Sequence, residues 1–121
     1  MNRVTLIGNL TADPVERTTT GGTVTTNFTL AVGRRYRDSE GNRQTDFIAC
    51  VAWNKTAELI SKHLSKGSKA GVSGSLQTRT WNDNDGNRHY VTEVNVDEVE
   101  FLTPKQQPEE SFNFDSYDAP F

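Results

Sequence analysis

The sequence predicts an all-β domain: a small five-stranded barrel with one α-helix between strands 3 and 4, followed by a disordered C-terminal tail. Three observations predict it. Runs of period-two alternation recur from residue 2 to residue 101, one helical segment interrupts them, and periodicity stops at Pro104. The expected division is therefore a domain over residues 1–104 and a flexible acidic tail over 105–121.

The first strand covers residues 2–10, with Val4, Leu6 and Leu10 on one face and Arg3, Thr5 and Asn9 on the other. Asp13-Pro14 breaks that pattern, and Gly21-Gly22 supplies a turn into a second strand. There Val24, Thr26, Phe28, Leu30 and Val32 share one face, and the threonine-rich opposite face suits β structure. The polar stretch Asp38 to Arg43 reads as an exposed loop, and Tyr36 sits among Arg34, Arg35 and Arg37 in the loop leading into the surface of outward aromatics.

The third strand, about Thr45 to Trp53, is apolar on both faces: Ile48, Cys50 and Ala52 on one, Phe47, Val51 and Trp53 on the other. One set belongs to the core, and the other needs something to cover it. A helix follows, with Asn54 as its expected N-cap, Ala57, Ile60 and Leu64 along one face, Lys62 and Lys66 in its last turns, and Gly67 as its stop. The fourth strand runs from about Lys69 to Trp81, with Arg79 and Trp81 facing away from Val72, Gly74 and Leu76. Asp83 to Asn87 makes a hairpin loop. In the fifth strand Tyr90, Thr92, Val94 and Val96 keep one parity, whereas Val99 and Phe101 take the other, so a bulge is expected near Asp97 and Glu98. That chain order is that of an OB-fold.

Charge and composition narrow the function. Residues 1–104 hold 12 Lys+Arg and 12 Asp+Glu, while residues 105–121 hold one and four, so the formal charge of -3 belongs to the tail. A neutral body is weaker support for polyanion binding than a basic one, which shifts the weight onto the aromatics. Cys50 is the single cysteine, so no internal disulfide is possible, and it reads as a small core hydrophobe. The N-terminus lacks the layout of a signal peptide and no apolar stretch is long enough for a bilayer, so a soluble cytoplasmic protein with no membrane association is expected.

No paired nucleophile and base, no acidic metal cluster and no His/Cys spacing for zinc is present, so no catalytic residue, metal or cofactor is expected. His63 and His89 read as structural or solvated. The outward aromatics admit two readings. They fill a core or subunit interface, or they are platforms for unpaired bases, each stack contributing about 1–3 kcal/mol with little sequence preference. The arginines around Tyr36, and Arg79 beside Trp81, favour the second. OB-folds also bind oligosaccharides, structured RNA and proteins, so the fold alone does not decide.

Many short motifs then recur in order. They are Asn2-Arg3-Val4 through Gly8-Asn9-Leu10, Asp13-Pro14, Gly21-Gly22, Phe28-Thr29-Leu30-Ala31, Phe47, Trp53 with Ala57-Glu58, Lys66-Gly67-Ser68, Gly74 through Arg79, and Thr92-Glu93-Val94. Together they closely resemble the bacterial single-stranded DNA-binding protein family. The resemblance implies an OB-fold homotetramer that wraps single-stranded DNA in replication, recombination and repair. It implies base stacking at Tyr36, Phe47, Trp53 and Trp81, and cations at Arg3, Arg17, Lys55, Lys66 and Arg79. It also implies that the C-terminal tip docks replication and repair proteins. Here Asp115, Asp118, Pro120 and Phe121 keep the family's final Pro-Phe but separate and thin its acids, which implies weaker docking, and the family's long glycine- and glutamine-rich linker is missing.

Overall fold

In a computed structural model of the chain, residues 1–103 are described. They form β1 (Val4–Leu10), β2 (Val15–Thr18), β3 (Val24–Arg37), β4 (Arg43–Trp53), α1 (Asn54–His63), β5 (Lys69–Asn82) and β6 (Arg88–Phe101). The strands lie in the order β1-β5-β6-β4-β3-β2. The end of β1 also pairs with β3, through Asn9↔Ala31 and Leu10↔Leu30, and this closes the five long strands into a barrel. Every pairing is antiparallel except that of β4 with β6. The OB-fold expected from the strand order is what forms, with the helix between the third and fourth long strands.

The short β2 was not foreseen. All four of its residues are exposed, so no alternation marks them, and only pairing of Val15–Thr18 with Val24–Asn27 makes them a strand. Elsewhere the inward faces are those predicted from parity, except that Leu76 and Tyr90 are exposed and Val51, on the other face of its strand, is buried. Leu10, Phe28, Leu30, Cys50, Ala52, Ala70, Val72, Val94 and Val96 form one buried cluster with Ala57, Ile60 and Leu64 from the helix and its end. Thr26 is fully buried among them, and its hydroxyl donates to the Ala57 carbonyl at 2.9 Å, joining the helix to β3.

Both helix ends differ from expectation. Trp53 occupies the N-cap position and no side chain caps the helix, while Asn54 is its first residue with a φ of 55°. Asparagine tolerates that left-handed conformation better than most residues, which accounts for its place at this sharp entry. At the other end the helix stops at His63, so Lys66 and Gly67 lie beyond it. Gly67 instead has a φ of 89° and donates its N–H to the Leu10 carbonyl at 2.9 Å, tying this connection to β1.

The bulge lies where the parity shift put it. Ser73 faces Glu98 and Gly74 faces Val96, which leaves Asp97 without a partner. Gly74 fits because a Cβ there would run into the Asn95 carbonyl oxygen. A second irregularity falls between Gly33 and Arg37, and β3 runs through it, so Tyr36 and its arginine neighbours are strand rather than loop. Past the core, the β3–β4 and β5–β6 hairpins continue as two arms whose residues are mostly exposed.

Candidate nucleic-acid interface

The outer face of β4 carries Phe47, Ala49, Val51 and Trp53, directly opposite Ala31, Thr29, Asn27 and Thr25 of β3. Arg17 of β2 pairs with Thr25, so Arg17, Thr25 and Trp53 make one row across three strands. At the usual strand spacing the ends of that row lie about 10 Å apart, and Phe47 and Trp53 lie about 20 Å apart along β4. Val51 between them is buried, but Phe47 is 67% exposed and Trp53 42%. The core thus takes the Cys50 and Ala52 face, and the two rings face outward.

A groove of about 300 Å³ adjoins this face and is lined by Asn27, Thr29 and Ala49 from β3 and β4 and by Arg79, Val91 and Glu93 from the β5–β6 arm. The structure therefore brings Arg79 to the β4 surface. Two residues farther along the same face of β5, Trp81 is 47% exposed. Its partner across the arm is His89, whose ring stacks on the indole at a centroid distance of 4.4 Å and an interplanar angle of 17°. Tyr36, 77% exposed, stands on the other arm.

The cations divide into two groups. Arg79 donates through Nε to Glu93 at 3.3 Å, and Arg3 is paired with Asp97 of the bulge at 2.9 Å. Arg34 donates through Nε and Nη2 to both oxygens of Asp46, each at 2.9 Å. This bidentate pair raises the Arg34 pKa and holds the Asp46 carboxyl below the usual aspartate range. It also fixes Arg34 on the Asp46 side of the arm, whereas Phe47, the next residue of β4, points to the other side. Among the described residues, Arg17, Arg35, Lys55 and Lys66 have no carboxylate within salt-bridge distance. Lys55 lies two residues past Trp53, and the Lys66 backbone N–H donates to Asp13 at 2.8 Å.

Cys50 is buried, and loss of solvent, with a smaller contribution from the Glu93 charge, pushes its thiol pKa up to about 12. That fits the packing role read from sequence. Among the described residues no group of His, Cys, Asp or Glu could hold a metal ion, and no helix is long and apolar enough to cross a membrane. Asp115, Asp118, Pro120 and Phe121 lie outside the described residues. Sequence reasoning missed the pairing of His89 with Trp81. Counting back symmetrically from the Asp83–Asn87 loop would have set the two opposite each other.

The model of the single-strand binding protein family matches residues 1–102. The chain belongs to that family. It is 54% identical over 105 residues to the single-stranded DNA-binding protein of Caldanaerobacter subterraneus subsp. tengcongensis, covering 87% of this chain and 70% of that protein. It is 49% identical over 117 residues to single-stranded DNA-binding protein 2 of Listeria monocytogenes, covering 97% and 73% respectively. With the single-stranded DNA-binding protein of Halalkalibacterium halodurans it shares 47% identity over 118 residues, 97% of this chain and 70% of the other. The part matched to the single-strand binding protein family is thus the whole barrel with both arms, including the exposed rings of Tyr36, Phe47, Trp53 and Trp81.

Proposed function

We propose that this protein binds single-stranded DNA without reading its sequence, and that it does so as a non-catalytic binding module. Phe47, Trp53, Trp81 and Tyr36 stack bases, and Arg17, Lys55, Lys66, Arg35 and Arg79 meet phosphates. One observation carries this reading: rings that a small barrel would ordinarily bury stand 42 to 77% exposed on one surface and the arms beside it, in a chain whose relatives are named for single-stranded DNA binding. Arg3 and Arg34 contribute less than the rest, because each is held by a carboxylate at 2.9 Å, whereas the Arg79 contact with Glu93 is longer at 3.3 Å.

The proposed assembly is a homotetramer acting in replication, recombination and repair. Its support in the fold is β1, whose residues Val4 to Ile7 pair with β5 alone and leave the other edge open, with Ile7 itself 56% exposed. Residues 105–121 are proposed as an acidic tail whose tip, through Asp115, Asp118, Pro120 and Phe121, docks replication and repair proteins.

The test is a fluorescence titration with oligothymidine of several lengths at two salt concentrations, with duplex DNA and an oligosaccharide as controls. Oligothymidine is expected to quench the two tryptophans strongly and the controls are not. If Arg17, Arg35, Lys55 and Lys66 each neutralise one phosphate, log affinity falls against log salt with a slope of about -3 per subunit, from about -0.7 per phosphate. Equal affinity for duplex DNA overturns the reading.

A further inference from the structure

The tips of the two arms are built alike. Tyr36, Asp38, Gly41, Asn42, Arg43 and Gln44 on one have the same spacing as Trp81, Asp83, Gly86, Asn87, Arg88 and His89 on the other. Asp38 Oδ1 accepts the backbone N–H groups of Glu40 and Asn42 at 3.0 and 2.8 Å, and Asp83 Oδ1 accepts those of Asp85 and Asn87 at the same two distances. Gly41 and Gly86 supply the turn at φ values of 85° and 84°. In each arm the second carboxylate oxygen reaches the residue six positions on.

At that position the arms diverge. Gln44 donates through Nε2 to Asp38 Oδ2 at 3.1 Å, whereas His89 Nε2 lies 2.8 Å from Asp83 Oδ2. An ionised carboxylate only accepts, so the imidazole carries its proton on Nε2 and donates. The ring held this way lies flat on Trp81. Tyr36 has no ring stacked on it among the described residues.

We propose that His89 is a positioning residue for Trp81: tethered to the loop aspartate Asp83, it braces one face of the indole so that the other stands fixed for a base, while Gln44 leaves Tyr36 unbraced. This rests on the reading that Trp81 stacks bases. An exposed ring otherwise loses rotamer freedom when a base lands on it, and bracing removes that loss in advance. Aromatic pairs of this geometry are worth enough to change affinity by about twofold to tenfold.

The experiment uses the full chain carrying Trp53→Phe, so that Trp81 is the only tryptophan. Affinity is read from the anisotropy of a labelled oligothymidine, and indole exposure from acrylamide quenching. His89→Ala is expected to weaken binding by about twofold to tenfold and to raise the quenching constant. His89→Phe keeps a ring beneath the indole and is expected to restore most of both. Gln44→His is expected to tighten binding by bracing Tyr36. Equal losses in the Ala and Phe variants, or an Ala variant unchanged in both readouts, overturn the positioning role. A Gln44→His variant that binds no tighter overturns the comparison between the arms. Trp81→Ala separates the two levels: if it binds as tightly as its parent, the base-stacking reading itself fails, and if it alone is weakened, only the bracing does.

Discussion

Phe47→Ala separates DNA binding from folding, because about two thirds of the residue already faces solvent. A fully buried Phe removes about 150–250 Å² from water, so the buried third is about 50–80 Å². At about 25 cal/mol per Å² its loss costs the fold about 1–2 kcal/mol, an upper bound because the unfolded chain also buries some surface. Phe47 faces Ala31 across β3 and is outside the buried cluster, so no internal cavity opens. The loss of one base stack costs about 1–3 kcal/mol, which weakens the dissociation constant by about 5- to 150-fold. Denaturant unfolding and anisotropy of a labelled oligothymidine measure the two quantities on the same variant. A midpoint shift with unchanged affinity would refute the role given to this ring.

Three further outcomes follow from particular contacts. Gly74→Ala is expected to destabilise the fold by about 1–3 kcal/mol in urea, since the new Cβ meets the Asn95 carbonyl and the bulge must move; an unchanged midpoint would count against that close approach. Cys50 should resist alkylation at pH 8 in the folded protein and react fully once unfolded, because its pKa is pushed up to about 12; rapid native labelling would contradict its burial. Asp38 is held below its ordinary value of 3.8 chiefly by the Asn42 backbone N–H, Asp46 chiefly by Arg34, and Asp83 chiefly by His89. Carboxylates with lowered folded values stabilise fully above the unfolded value and lose that contribution as pH falls through the folded one. Acid titration of stability should therefore show their loss below about pH 4, and an onset attributable to them near pH 6 would reverse the sign.

The barrel was legible because its core is written in parity. Val24 to Val32, and Val94 to Val96 with the slip to Val99, marked both the inward faces and the bulge at Asp97. What escaped was structure that leaves no apolar trace. Strand β2 is held by backbone pairing of exposed residues, and the end of β3 is charged, so Arg34 to Arg37 read as loop although β3 runs through them to the Arg37–Arg43 pair. The helix entry was misjudged because Asn54 has a capping side chain but takes a left-handed backbone inside the first turn. At the candidate site the exposed rings were identifiable from the two-sided apolar character of β4. The Arg34 clamp on Asp46, and the tether from Asp83 through His89 to Trp81, depend on register within the arms, which composition does not record.

If the exposed rings touch unpaired nucleotides, photocrosslinking will trap that contact. Irradiating the protein with a 5-bromouracil-substituted single strand and mapping the adducts by mass spectrometry should place them at Tyr36, Phe47, Trp53 and Trp81. Adducts absent from all four, and gathered instead on the opposite face around Ile7 and Ser73, would contradict it.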